Sequence, residues 1–140
     1  MSKHSKHSNQ VRIIGGQCRG RKLVFADADG LRPTPDSVRE KLFNWLGQDL
    51  TGLNALDLFA GSGALGFEAA SRNAKRVVLA DNNRKTADML RQNARALGLD
   101  KLEIFNTDSL TYFRGRLKSL MWSFWIRRLR GRIGKICLLL

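Results

Sequence analysis

The sequence predicts an α/β fold in which a parallel sheet carries helices on both faces. Strands and helices alternate along residues 53–106 with a period of about 20 to 25 residues, which is typical of βαβ units. A glycine-rich segment follows the first of these strands, and an amphipathic helix follows the second. With 43% hydrophobic residues and only 2 prolines, the 140-residue chain can bury a core, which excludes a collagen-like or wholly disordered protein.

The first predicted elements are a small hairpin and a helix. Val11–Ile14 and Lys22–Phe25 are short strands on either side of a glycine-rich, basic turn, and they predict an antiparallel hairpin. Thr34 is the predicted N-cap of a helix that begins at Pro35 and ends before Gly47. The predicted inward face of this helix consists of Val38, Leu42, Trp45 and Leu46.

Three strands and two helices are predicted for the parallel sheet. The strands are Leu53–Phe59, Arg76–Ala80 and Leu102–Asn106, and the helices are Phe67–Arg72 and Arg84–Leu97. The carboxyl ends of parallel strands meet at one edge of a sheet, and an open α/β sheet binds its ligand at that edge. We therefore expect a ligand site after these strands.

The charge pattern divides the chain into three parts. The net charge is +13, and none of the 12 acidic residues follows Asp108, whereas eight basic residues do. We expect a disordered basic arm over residues 1–10, a folded domain over 11–118 and an aberrant basic tail over 119–140.

Several classes of protein are disfavoured. Residues 1–10 lack the apolar core of a secretory signal, and the longest apolar candidate, Leu120–Ile126, is far below the roughly 18 residues that a membrane span needs. Cys18 and Cys137 are expected to be free thiols, and the two histidines have no cysteine or carboxylate nearby for a metal site. We expect a cytoplasmic monomer with no membrane and no metal.

The glycine-rich segment is a candidate ligand-binding loop. Gly61, Gly63 and Gly66 match the G-x-G-x-x-G pattern, whose glycines permit a tight turn and let backbone N–H groups approach a ligand at a helix N-terminus. The alternative is that these glycines serve only the turn between strand and helix.

Three carboxylates lie at the carboxyl ends of three neighbouring predicted strands. Asp57 lies inside an apolar run, where an ionised carboxylate is costly unless something satisfies it. Asp81 ends the second strand, where a Rossmann-type site places an acid on ribose hydroxyls, and Asp108 follows the third. A carboxylate four residues before Gly61 would repel the pyrophosphate of NAD and suits a cationic ligand such as S-adenosylmethionine. An NAD-dependent oxidoreductase remains the alternative for this site.

Several motifs together are similar to those of one known family. They are Arg12-Ile13-Ile14-Gly15-Gly16 with Arg19-Gly20-Arg21, Leu31-Arg32-Pro33-Thr34-Pro35, Val38-Arg39-Glu40, Leu42-Phe43-Asn44-Trp45-Leu46 and Asp57-Leu58-Phe59-Ala60-Gly61-Ser62-Gly63-Ala64-Leu65-Gly66. Over about residues 11–118 the chain resembles the RsmD-type small-subunit (16S) rRNA guanine-N2 methyltransferases. The resemblance implies a partial class I methyltransferase domain with a Rossmann-like fold, which transfers a methyl group from S-adenosylmethionine to a guanine amine in ribosomal RNA.

The resemblance also implies the residues of the cofactor site. They are Asp57, Gly61, Ser62, Gly63, Asp81, Asn82, Asp108, Arg32 and Thr34. The region of Asp57 would hold the methionine end of the cofactor, Asp81 the ribose and Asp108 the adenine, while Arg32 and Thr34 would edge the site.

The hairpin carries a candidate surface for ribosomal RNA or the small ribosomal subunit. No acidic residue precedes Asp27, so the hairpin is basic throughout, as phosphate contacts require. The predicted nucleic-acid-binding residues are Arg12, Arg19, Arg21, Lys22 and Arg39. A merely solvated basic surface is the alternative.

The catalytic loop that the resemblance implies is missing. In such enzymes the fourth strand ends in Asp or Asn, two prolines and an aromatic residue, which orient the amine and stack on a flipped base. The only prolines here are Pro33 and Pro35, so no catalytic residue is assigned. The chain is expected to have little or no activity, and a non-catalytic RNA-binding or ribosome-assembly protein is the second hypothesis.

The codons of the tail predict a change of reading frame. Trp has the single codon TGG and Ile begins with AT, so a frame shifted back by one nucleotide forces Asp across Trp125 and Ile126. Suitable choices for the other codons yield Phe-Asp-Val-Val-Phe-Leu-Asp-Pro-Pro, a family-like fourth strand and loop. We predict that residues from about Ser119 onward are out of frame and that the C-terminal strands are missing. A genuine cationic tail that lies on membranes or RNA is the alternative.

Overall fold

The computed structural model describes residues 9–25, 34–58, 60–108, 111 and 137–139. In chain order the elements are β1 (Gln10–Arg12), β2 (Lys22–Val24), α1 (Asp36–Leu46), β3 (Asn54–Asp57), α2 (Ala64–Ser71), β4 (Arg76–Asp81), α3 (Arg84–Leu97), β5 (Leu102–Asn106) and β6 (Cys137–Leu139). Most of the predicted basic arm, Arg32 and most of the predicted tail lie outside the described residues.

Two sheets are formed. β1 and β2 pair antiparallel, which confirms the predicted hairpin. The second sheet has the order β5-β4-β3-β6, in which β3, β4 and β5 are parallel. This confirms the predicted α/β fold, because each parallel pair is joined through a helix.

The core lies around β4 and α2. Val77, Leu79 and Ala80 are fully buried, as expected for a strand inside a parallel sheet that is covered on both faces. The predicted ranges of α3 and β5 match the observed ones. Helix α2 begins at Ala64, three residues before the prediction, and all of its residues are buried. A helix that is buried all round shows no amphipathic pattern from which its start can be located.

Helix α1 differs from the prediction in its cap and in its buried face. Pro35, and not Thr34, is the N-cap, and no side chain caps the helix. Val38 is 50% exposed and Trp45 is 80% exposed, whereas Arg39 and Phe43 are fully buried. The predicted inward face is therefore wrong at Val38 and Trp45, whereas Leu42 packs against the core as predicted. The reason is the Arg39 guanidinium, which can be buried only where partners compensate its charge, and this directs the Arg39 side of the helix inward.

The tail contributes one strand that the sequence analysis did not predict. β6 pairs antiparallel with β3, with Leu138 opposite Leu56 and Cys137 opposite Asp57. The physical reason lies in β3, since the edge of a sheet offers unpaired N–H and C=O groups to any available strand.

The described ranges hold neither a membrane-spanning helix nor a metal-binding group. No helix there is long and apolar enough to cross a membrane. No group of three or more His, Cys, Asp or Glu side chains in the same ranges is arranged to hold a metal ion.

Candidate functional site

The carboxyl edge of the parallel sheet brings the predicted cofactor residues together. Asp57 is the last residue of β3, Asp81 is the last residue of β4, and Asp108 follows β5 by two residues. Because the three strands are neighbours in the order β5-β4-β3, the three carboxylates lie along one edge of the sheet.

Asp81 ties the end of β4 to the glycine-rich loop. Its Oδ2 accepts a hydrogen bond of 3.0 Å from the Gly61 N–H, and its Oδ1 accepts one of 2.9 Å from the Asn83 N–H. A carboxylate offers about four acceptor sites, so both oxygens keep capacity for ribose hydroxyls. The side chain is held in place before any ligand arrives.

Asn83 organises the turn that follows Asp81, a role that the sequence analysis did not predict. It is the N-cap of α3, and its side chain accepts a 3.1 Å hydrogen bond from the Thr86 N–H. Asn is a preferred N-cap residue, so this role could have been read from the sequence. Asn82, which the resemblance places in the cofactor site, is exposed in the same turn between β4 and α3.

Asp57 and Ser62 are nearly inaccessible. Each is 1% exposed, and the Ser62 hydroxyl accepts a 3.3 Å hydrogen bond from the Ala64 N–H at the start of α2. A buried carboxylate is rigidly placed, since it must keep its polar partners to remain charged. Asp57 therefore presents a rigidly held carboxyl group at the end of β3.

The glycines of the loop have packing roles in addition to any ligand. A Cβ on Gly63 would lie 2.6 Å from Leu90 Cδ2 and 2.8 Å from Phe67 Cδ2. A Cβ on Gly66 would lie 2.1 Å from Leu79 Cδ2, so its absence lets α2 approach β4 closely. The tight turn accounts for Gly63 and close helix–strand packing accounts for Gly66, so the ligand hypothesis depends on Gly61 and the carboxylates.

Asp108 and Thr34 are expected at the margins of the candidate cofactor site. Asp108 is exposed and accepts hydrogen bonds of 2.8 Å from the Thr111 N–H and 2.7 Å from the Thr111 hydroxyl. The Thr34 carbonyl accepts a 3.1 Å hydrogen bond from Arg39 Nε. Arg32 lies outside the described residues.

Four of the five predicted RNA-contacting residues are exposed on the hairpin. They are Arg12, Arg19, Arg21 and Lys22. The Arg12 side chain is 62% exposed and lies 3.8 Å from the Asp36 carboxylate. Arg21 Nη2 donates to the Ala96 carbonyl over 3.3 Å, at the C-terminal end of α3.

The fifth predicted residue, Arg39, does not lie on the exposed surface of the hairpin. Its side chain is fully buried, and its guanidinium donates to the Arg12 carbonyl over 2.8 Å and to Glu68 over 3.2 Å. A phosphate cannot reach a guanidinium in this position. Arg39 is part of the interior and not of an RNA-contacting surface.

The hairpin and the sheet edge occupy opposite halves of the helices. Hydrogen bonds join the hairpin to Glu68 and Ser71 of α2 and to Asn93 and Ala96 of α3. The glycine-rich loop precedes the N-terminus of α2. At 1.5 Å per residue, the two ends of α2 are about 10 Å apart and those of α3 about 20 Å apart. The hairpin and the glycine-rich loop therefore lie at different ends of these helices. Thr34, which is predicted for the cofactor site, lies instead near the hairpin, because Arg39 donates to its carbonyl and to that of Arg12.

Known proteins are similar to this chain in sequence. "Ribosomal RNA small subunit methyltransferase D" of Escherichia coli (strain K12) is 47% identical over 105 residues, which are 75% of this chain and 53% of that protein. The protein of the same name from Haemophilus influenzae is 45% identical over 107 residues, which are 75% of this chain and 55% of that protein. The chain thus spans about half the length of the curated relatives that it matches.

A solved structure supports the fold. The Escherichia coli protein yhhF superposes with a TM-score of 0.68 at 42% identity, covering 74% of this chain and 56% of that one. The Rossmann-like fold that the sequence predicts is confirmed by this likeness.

The family described as "Conserved hypothetical protein 95" matches residues 11–119, which is well over half of the sequence. The resemblance to the RsmD-type enzymes is thereby confirmed, and the chain belongs to this family.

Proposed function

We propose that this chain carries the S-adenosylmethionine-binding half of a methyltransferase that modifies the N2 amine of a guanine in small-subunit ribosomal RNA. One observation carries the proposal. The Asp81 carboxylate, at the end of β4, accepts a hydrogen bond from the Gly61 N–H and can still accept hydrogen bonds from ribose hydroxyls. The proposal that the substrate is ribosomal RNA rests on the names of the relatives.

The charges of the site fit S-adenosylmethionine. Bound there, this cofactor would supply the methyl group from a positively charged sulfur. The buried Asp57 carboxylate and the Asp81 carboxylate attract the ammonium and sulfonium groups, and this attraction is strong where water is excluded. The same carboxylates disfavour the pyrophosphate of NAD. We propose that Asp57 and the loop hold the methionine end and that Asp108 holds the adenine.

The hairpin is proposed to bind RNA phosphates. Arg19, Arg21 and Lys22 are exposed on it, and exposed cations near a sugar-phosphate backbone bind by releasing counterions. A cytoplasmic location follows from the proposed substrate.

Methyl transfer itself is proposed to need residues that this sequence does not encode in its present frame. No Asp-Pro-Pro-aromatic loop occurs, since Pro33 and Pro35 are the only prolines. The family match ends at residue 119, the position from which the codons predict a shifted frame. We propose that the shifted frame encodes the fourth strand and its loop.

The first test is cofactor binding. Isothermal titration of the purified chain is expected to show S-adenosylmethionine binding and no binding of NAD. Asp81→Asn is expected to weaken the binding by about tenfold to a hundredfold, because a hydrogen bond to a charged group contributes about 1.5–3 kcal/mol. Asp88→Asn, which removes an exposed carboxylate on α3, is the matched control and should bind normally. A folded chain that binds no S-adenosylmethionine contradicts the proposal.

The second test is methyl transfer. The chain as written is expected to transfer no labelled methyl group to 30S subunits, whereas a gene restored to the shifted frame is expected to label guanine N2. Transfer by the chain as written would show that the loop is not required. Sequencing across the codons for residues 118–140 decides whether the shifted frame is open, and a closed frame would favour a non-catalytic RNA-binding protein.

A further inference from the structure

Glu68 is a buried carboxylate that cofactor binding does not use. It lies on α2, four residues after the helix begins, and is fully buried. Its Oε2 accepts hydrogen bonds from the Ile14 N–H over 3.0 Å and from Arg39 over 3.2 Å. Its Oε1 accepts from the Gly15 N–H over 2.8 Å and from Arg72 Nε over 3.0 Å. Each oxygen therefore binds one backbone amide of the hairpin and one arginine.

The charges around Glu68 are balanced. Arg39 also pairs with Asp36, and the Arg72 guanidinium lies 4.8 Å from the centre of the Phe43 ring. Two arginines thus face two carboxylates, so the opposite charges of this cluster balance without a bound cation. An ionised carboxylate makes stronger hydrogen bonds to backbone N–H groups than a neutral acceptor does.

The hairpin meets α2 with no space for side chains between them. A Cβ on Gly15 would lie 2.7 Å from Arg72 Nη2, and a Cβ on Gly16 would lie 2.0 Å from the Ser71 carbonyl oxygen. The Ser71 hydroxyl accepts from the Cys18 N–H over 2.9 Å and donates to the Gly15 carbonyl over 2.6 Å. Backbone of the hairpin and one turn of α2 are in direct contact, with Glu68 at its centre.

We infer that Glu68 is a positioning residue that fixes the basic hairpin on the helix that begins at the glycine-rich loop. The inference rests on the proposed function, because it concerns how the RNA-contacting residues are placed relative to the cofactor site. Since α2 is a rigid element, holding Ile14 and Gly15 on Glu68 sets the separation between the hairpin cations and the methyl donor. RNA then binds to a surface that is already ordered, which lowers the entropic cost of binding.

The test separates two effects of Glu68: its hydrogen bonds to the hairpin amides and its contribution to the charge of the cluster. Glu68→Asp keeps the negative charge but withdraws the carboxylate by about 1.5 Å, one C–C bond. The two arginines reach the carboxylate through long side chains, whereas the two backbone amides cannot follow it without moving the hairpin. Glu40→Asp is the matched control, because it makes the same chemical change on the exposed surface of α1.

Three measurements are made on the full chain: amide hydrogen exchange at Ile14 and Gly15, affinity for a 16S rRNA transcript, and affinity for S-adenosylmethionine. In the unmodified chain the two amides are expected to exchange as slowly as those of α2. In Glu68→Asp we expect faster exchange at both amides, RNA affinity about tenfold weaker and cofactor affinity within about twofold. Glu40→Asp is expected to change none of the three.

The outcomes that overturn the inference are distinct from those that overturn the proposed function. Unchanged exchange and RNA affinity in Glu68→Asp overturn it, and so does a parallel loss of RNA and cofactor binding, which marks a purely structural role. If Glu68→Asp does not fold, exchange in the unmodified chain decides, because fast exchange at Ile14 and Gly15 overturns the inference and slow exchange supports it. An unmodified chain that binds neither RNA nor cofactor contradicts the proposed function, while exchange at these amides still reports on Glu68.

Discussion

Gly63 and Gly98 adopt similar left-handed backbone conformations in different surroundings. Their φ angles are 80° and 63°, and each flanks a helix, Gly63 before α2 and Gly98 after α3. A Cβ on Gly63 would meet Leu90 and Phe67, whereas a Cβ on Gly98 would meet nothing within 4 Å. The two positions therefore separate backbone strain from steric overlap.

Substituting these two glycines should have unequal effects. We expect Gly98→Ala to lower the free energy of unfolding by about 1–2 kcal/mol, the cost of a left-handed conformation for an L-residue. Gly63→Ala carries the same strain and adds about 1–3 kcal/mol for overpacking. Urea denaturation of both variants measures the difference. Equal losses would show that Leu90 and Phe67 move aside freely.

Among the elements, α3 holds the hairpin in addition to α2. The Asn93 side chain accepts a 3.2 Å hydrogen bond from the Val24 N–H and donates one of 2.6 Å to the Val24 carbonyl. It bonds both backbone groups of one β2 residue, as a neighbouring strand would. This contact joins the hairpin to a helix 69 residues further along the chain.

Asn93→Asp should loosen this attachment. The substitution keeps the shape but replaces the amide donor with an oxygen that faces the Val24 carbonyl, and an unsatisfied buried polar group costs about 1–3 kcal/mol. We expect a lower melting temperature and faster exchange of the Val24 amide. Asn44→Asp on the exposed side of α1 is the control. Equal melting temperatures for both variants would contradict the expectation.

The elements also show how far the sequence determines the structure. The ends of α3 are predictable because local signals mark them, with Asn83 as the N-cap and Gly98 as the C-cap. The buried face of α1 is not predictable, because it depends on the pairing of Arg39 with Glu68, 29 residues away. The carboxylates of the candidate site are predictable from the sequence, because they lie at the carboxyl ends of strands. Glu68 has no comparable local signal, since its partners come from the hairpin and α1.

For the whole molecule, the separation of the hairpin from the glycine-rich loop has a measurable consequence. The hairpin is bonded to the C-terminal halves of α2 and α3, whereas Gly61 and Asp81 lie before the N-termini of these helices. A change of salt concentration or of a hairpin residue should therefore alter the affinity for RNA without altering the affinity for the cofactor.

RNA affinity should depend steeply on salt, and cofactor affinity should not. We expect Arg19→Ala to weaken RNA binding uniformly across sequences and to reduce the slope of log affinity against log salt by about 1. Filter binding between about 50 and 200 mM salt measures this slope. Cofactor affinity of the variant serves as the internal control. An unchanged slope would place Arg19 outside the RNA contact.

The long-range attachment of the hairpin also sets an order of events during synthesis. Residues 10–24 leave the ribosome first, but their partners Glu68 and Asn93 follow 54 and 69 residues later. At about 5–20 residues per second, the wait for Asn93 is roughly 3 to 14 s. For that time Val11 and Leu23, which are buried in the finished fold, lack the packing that α3 completes. The hairpin is thus synthesised early but reaches its final packing late. The risk that the nascent chain aggregates through the hairpin is greatest in those seconds.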